Sequence, residues 1–124
     1  MDIIISNSSN KPIYEQITSQ LKDAILSGAL AAGDALPSIR ALANEIHVSV
    51  ITTKRAYADL EAQGFIDTVQ GKGSFVAGGN LEFLREERLR QVEGYLQRAV
   101  DDAQAAGATL ADLHEMLDAL ASVE

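Results

Sequence analysis

No cysteine occurs among the 124 residues, which excludes disulfides, thiolate metal sites and cysteine nucleophiles. Long apolar runs are missing too: none approaches the roughly 20 residues that cross a bilayer as a helix. The start of the chain, Met1-Asp2-Ile3-Ile4-Ile5-Ser6, has no basic segment and no extended apolar stretch, so it does not read as a secretory signal. A cytoplasmic location and no membrane partner are the expectations. Histidine is scarce, and His47 and His114 lie far apart. His47 reads as a turn residue, and His114 as a solvated or interface residue of the last segment. The pairs Glu86-Glu87 and Asp101-Asp102 read as solvated helix faces without partners at metal-ligand spacing. The glycines around Gly71 precede no helix with Lys-Ser/Thr, so no P-loop is formed. No catalytic site, metal site or cofactor is expected, although a small-molecule effector stays open.

What is present is enough apolar material for a core. Hydrophobic residues make up 47% of the chain, and the length suits one domain with a small appendage. The formal charge of −8 argues at first against a nucleic-acid partner. Its distribution matters more. Residues 1–78 hold six Lys/Arg (Lys11, Lys22, Arg40, Lys54, Arg55, Lys72) against eight Asp/Glu, a net of −2; residues 79–124 hold four against ten, a net of −6.

Residues 1–10 read as an arm or a short strand. Pro12 suits a first helical position. Ile13, Ile17, Leu21, Ala24 and Ile25 then recur at helical spacing, and Gly28 ends that helix. Ala29 to Pro37 is an ordered loop. Ser38 caps a second helix whose inward face is Ile39, Leu42, Ala43 and Ile46. After a turn at His47, Ser49 caps a third helix that buries Thr53, Ala56, Tyr57 and Leu60 and closes at Gly64. Phe65 to Val69 and Ser74 to Ala77 are strand-like, joined by Gln70-Gly71-Lys72-Gly73. Gly78-Gly79-Asn80 marks a boundary. A long helix follows, running through Leu81, Leu84, Arg88, Val92, Tyr95, Leu96, Ala99 and Ala103 and broken at Gly107. Thr109 with Asp112 opens a short last helix striped by Leu110, Leu113, Met116, Leu117 and Leu120. The expected class is mainly α with a small β wing. Residues 1–78 form a winged helix-turn-helix and residues 79–124 a two-helix hairpin.

Two short helices around a tight turn, followed by a lysine-tipped hairpin, are how a chain sets one helix in a DNA groove with a basic loop beside it. On the third helix, Ser49 and Thr52 can donate to phosphates or base edges, Lys54 can neutralise phosphate, and Arg55 can do so or pair with a guanine edge. Val50 and Ile51 are unusual on a surface. They can touch thymine methyl groups, or one of them can pack into the core at the turn. Arg40, oriented by Pro37 and Ser38, can reach phosphate or groove. Ser38 belongs to the candidate DNA-binding set as well, and Lys72 at the hairpin tip, with Gln70 beside it, completes it.

The strings Pro12-Ile13-Tyr14-Glu15-Gln16-Ile17, Ile25-Leu26-Ser27-Gly28-Ala29-Leu30, Gly33-Asp34, Leu36-Pro37-Ser38-Ile39-Arg40-Ala41-Leu42-Ala43, Ala56-Tyr57-Ala58-Asp59-Leu60-Glu61, Gly64-Phe65-Ile66 and Gly71-Lys72-Gly73-Ser74-Phe75-Val76 resemble the GntR family of bacterial transcription regulators. The short helical remainder is similar to that of the YtrA subfamily, whose tail serves dimerisation. The resemblance implies a homodimeric, repressor-type regulator of a DNA operator, often encoded beside transporter genes. It aligns Arg40, Ser49, Thr52, Lys54 and Lys72 with positions that meet DNA in the family. Val50 stands where many members have arginine, which removes one expected guanine contact.

Independently of the resemblance, two amphipathic helices cannot bury their apolar stripes (Leu81, Leu84, Val92, Leu96; Leu110, Leu113, Leu117, Leu120) by themselves. A second copy of the chain would cover them, forming a helical bundle and placing two reading helices roughly 34 Å apart, or a multiple of it, on a palindromic operator. The tail could instead fold back on its own winged domain. A winged helix can also be a protein-interaction module without DNA, a reading that the net charge favours and the four cations Arg40, Lys54, Arg55 and Lys72 oppose.

Overall fold

The computed structural model describes residues 2–122. Its elements are α1 (Ile13–Leu26), α2 (Ile39–Ile46), α3 (Val50–Ala62), β1 (Ile66–Val69), β2 (Gly73–Val76), α4 (Leu81–Ala106) and α5 (Leu110–Ala121). Pro12 is the N-cap of α1 rather than its first residue. Its carbonyl accepts from the amides of Glu15 and Gln16, both at 3.1 Å. Gly28 ends the helix in the left-handed region at φ +87°, and Leu30 N–H closes back on the Ala24 carbonyl at 2.9 Å.

Ile17, Leu21 and Ile25 recur along one side of α1 and are fully buried. They meet Leu42 of α2, Ala56, Tyr57 and Leu60 of α3, and Phe65, Ile66 and Val76 around the hairpin, in one core. Ile39 and Ile46 are half-buried against it. Each such aliphatic side chain withdrawn from water contributes about 1.5–3 kcal/mol. The stripe on α1 is therefore what holds α3 in place.

β1 and β2 pair antiparallel, with Ile66 opposite Val76 and Val69 opposite Gly73. The connection is the three residues Gln70-Gly71-Lys72, closed by Lys72 N–H to the Val69 carbonyl at 2.9 Å; Gly73 lies in β2 and not in the turn. The loop before α2 adds a third rail. Val76 N–H donates to the Asp34 carbonyl and Leu36 N–H to the Ser74 carbonyl, both at 2.9 Å, and Ala35 bridges to Phe75.

Residues 2–6 form no strand. They lie extended along α1, held by two glutamines one helical turn apart. Ile4 N–H donates to Gln20 Oε1 at 2.9 Å, and Gln20 Nε2 donates to the Ile4 carbonyl at 2.8 Å. Ser6 N–H donates to Gln16 Oε1 at 2.8 Å, and Gln16 Nε2 returns to the Ser6 carbonyl at 3.0 Å. Two side-chain amides thus do what a neighbouring strand would do, and they let Ile3 and Ile5 pack on the core.

The chain divides into two compact units, Met1–Leu84 and Arg85–Glu124. The division falls after Leu84, not at Gly78–Asn80. The cause is that Leu81 and Leu84, counted above among the dimer-forming residues, pack on the core of the first unit. Both stay half-buried, so part of each side chain is already covered within the chain. In the second unit α4 stops at Gly107, φ +78°, and α5 opens with a reciprocal cap. Thr109 Oγ1 accepts from Asp112 N–H at 3.1 Å, and Asp112 Oδ2 accepts from Thr109 N–H at 2.8 Å. Those bonds, the Thr109 backbone N–H first, hold the Asp112 carboxyl below its ordinary value. Among the described residues no helix is long and apolar enough to cross a membrane.

Candidate nucleic-acid interface

Ser38 Oγ accepts from Ala41 N–H at 3.0 Å and starts α2, so that Arg40 leaves its first turn into solvent. The helix ends at His47, which adopts the left-handed region at φ 57° and ψ 46°. That conformation costs a non-glycine residue about 1 kcal/mol. It turns the chain sharply enough for α3 to begin at Val50. Tyr57, only 3% exposed, sends its hydroxyl to the Pro37 carbonyl at 2.7 Å. This bond ties α3 to the residue before the α2 cap, and burial pushes the phenol up to about 12.

At the start of α3 the two hydroxyls have separate duties. Ser49 Oγ accepts from Thr52 N–H at 3.1 Å and gives its own proton to Thr52 Oγ1 at 2.8 Å. Ser49 is therefore the cap of α3, with its hydroxyl shared between the Thr52 amide and hydroxyl. Thr52 keeps its O–H free to give. Thr53, fully buried, bonds the Ser49 carbonyl at 3.0 Å and faces inward with Ala56, Tyr57 and Leu60. Val50 is 38% and Ile51 82% exposed, so neither packs into the core at the turn. Ile51, Lys54 and Arg55 follow at i, i+3 and i+4, which puts them on one face, and all three are exposed.

Arg55 differs from its neighbours. Its guanidinium lies over the Tyr14 ring of α1, 3.7 Å from the centroid. Lys72 and Gln70 are exposed in the hairpin turn. Among the described residues no carboxylate pairs with Arg40, Lys54, Arg55 or Lys72. One compact unit thus carries four unneutralised cations on α2, α3 and the wing. What the sequence did not reveal is the Tyr14 stack and how the arm is held. Asn7, on the arm, lines the same cleft of about 310 Å³ as His47, Ser49 and Thr52. Glutamines at 16 and 20, spaced as i and i+4 on α1, were the available signal.

The description "Bacterial regulatory proteins, gntR family" matches residues 13–76, from α1 through the wing. The HTH-type transcriptional repressor YtrA of Bacillus subtilis (strain 168) is 37% identical over 115 residues, covering 93% of this chain and 88% of that one. A GntR family transcriptional regulator from Listeria monocytogenes superposes with a TM-score of 0.72 at 30% identity, covering 97% of this chain and 100% of that one. AraR(DBD) in complex with operator ORX1 superposes with a TM-score of 0.55 at 28% identity, covering 62% of this chain and 96% of that one. The chain belongs to the GntR family of bacterial regulatory proteins, as a YtrA-like transcription regulator with a winged helix-turn-helix for DNA.

Proposed function

We propose that this chain is a cytoplasmic repressor that binds a palindromic operator as a homodimer. In this reading α3 enters the major groove. Thr52 donates to a phosphate or a base edge, while Val50 and Ile51 meet thymine methyl groups. Lys54 neutralises phosphate at the groove wall, Arg40 reaches it from α2, and Lys72 grips beside it from the wing. The observation that carries the reading is the exposed row Ile51, Lys54 and Arg55 on a helix whose other side is locked into the core. An aliphatic side chain that is 82% exposed between cations costs solubility in a free protein and suits contact with thymine methyls. The complex of AraR(DBD) with its operator supports DNA as the partner of this fold.

The tail supports the second copy. Val92, Leu96, Leu110, Leu117 and Leu120 are all exposed, and Leu120 reaches 75%. Mutual cover by a second chain would remove the exposed half to three-quarters of these side chains from water, each contributing about 1–2 kcal/mol. A footprint on the duplex upstream of the chain's own gene tests the reading. Two protected half-sites with centres one helical turn or a multiple apart, and two chains per duplex, are expected. Carrying Leu96→Glu and Leu117→Glu together should give monomers by sedimentation and lose the paired footprint. A single protected half-site with one chain per duplex would contradict the dimer.

A further inference from the structure

Tyr14 is the second residue of α1, half-buried, with the Arg55 guanidinium carbon 3.7 Å from its ring centroid. At that separation the guanidinium lies face to face with the ring, because an N–H aimed at the ring would set the carbon farther away. The donors of a guanidinium lie in its plane, so stacking covers its face and leaves its N–H edge open. No carboxylate among the described residues takes that edge. Held against α1, Arg55 is drawn sideways from the first turn of α3, where Val50 to Thr52 stand. Only α3 fits a groove, so a donor kept over α1 faces the sugar–phosphate wall rather than the base edges.

We propose that Tyr14 is a positioning residue for DNA binding: it holds Arg55 with its N–H edge outward, ready to take a backbone phosphate on the flank of the groove. The proposal rests on the DNA-binding reading above. It replaces the guanine contact once open to Arg55 with a sequence-independent one. It also gives the aromatic ring a task that a leucine of similar bulk cannot perform. The long arginine side chain is ordered before DNA arrives, so less freedom is lost on binding.

The test is a double-mutant cycle on the full chain, with a labelled mixed-sequence duplex as probe and binding read across a salt series. Arg55→Ala removes one contact from each chain of the dimer and should lower the slope of log affinity against log salt by about two. Tyr14→Leu should weaken binding about two- to five-fold when Arg55 is present and by less than about two-fold in the Arg55→Ala background. Tyr14→Phe keeps the ring and should bind like the unaltered chain. Structural damage from Tyr14→Leu would weaken both backgrounds equally, and that additive result overturns the proposal. So does a Tyr14→Phe loss matching that of Tyr14→Leu, which assigns the contact to the hydroxyl. If the unaltered chain shows no salt-dependent duplex binding, the DNA-binding reading falls and the proposal with it. Salt-dependent binding with an additive cycle removes the positioning role alone.

Discussion

Replacing Tyr57 by phenylalanine deletes one oxygen and separates two effects by pH. The hydroxyl donates to the Pro37 carbonyl at 2.7 Å from a side chain that is 3% exposed. Losing one such bond costs about 1 kcal/mol. At neutral pH the variant should be less stable by about 1–1.5 kcal/mol, a fall in melting temperature of roughly 4–10 °C. In alkali the order changes. The phenol ionises near 10 in an unfolded chain and at about 12 in the fold. Between those values the folded state keeps a proton that the unfolded state has lost. The tyrosine's contribution is therefore complete below about pH 10 and gone above about pH 12, a loss of about 2.7 kcal/mol at most. The phenylalanine variant lacks that loss. Urea melts followed by circular dichroism at about pH 8 and about pH 11.5 should show the unaltered chain more stable at the first and no more stable at the second. An equal gap at both values would refute the reasoning. The bond also has a functional side, because it fixes α3 against the start of α2 and so the spacing of Lys54 and Arg40.

Ser49→Ala removes the acceptor for Thr52 N–H and should lower stability by about 1 kcal/mol, read as a lower urea midpoint at unchanged slope. His47→Gly relieves a left-handed residue and should raise the melting temperature by several degrees, a stabilisation of about 0.5–1 kcal/mol. Gln16→Ala deletes the bonds to the Ser6 amide and carbonyl and to the Lys11 carbonyl. It should speed hydrogen exchange at Ser6 while the core amides of α3 stay protected.

The helices of this chain were legible because their signals are local. Ser38, Ser49 and Thr109 sit as caps at the helix starts read from the sequence, and the stripes Ile17-Leu21-Ile25 and Ala56-Tyr57-Leu60 turn inward as their spacing implies. Features made by residues distant in sequence were not legible. No periodicity says that Gln16 and Gln20 will stand in for a strand, that Asp34 to Leu36 will flank β2, or that Arg55 will cross to Tyr14. The start of α4 shows the same limit. Gly78-Gly79-Asn80 looks like a break, yet the first turn of α4 packs on the core through Leu81 and Leu84. Ser49 shows the limit from the other side: capping and DNA contact call for the same hydroxyl, and the sequence alone does not show that it caps through the Thr52 amide.

Whether the exposed cations of α2, α3 and the wing touch phosphate decides the function most directly. The measurement is duplex affinity against salt for the unaltered chain and for Arg40→Ala, Lys54→Ala and Lys72→Ala. Each substitution is carried by both chains of the dimer and should flatten the slope by about two while leaving the melting temperature in place. Slopes unchanged in all three variants would mean that these residues meet no duplex, and the winged domain would then need a different partner.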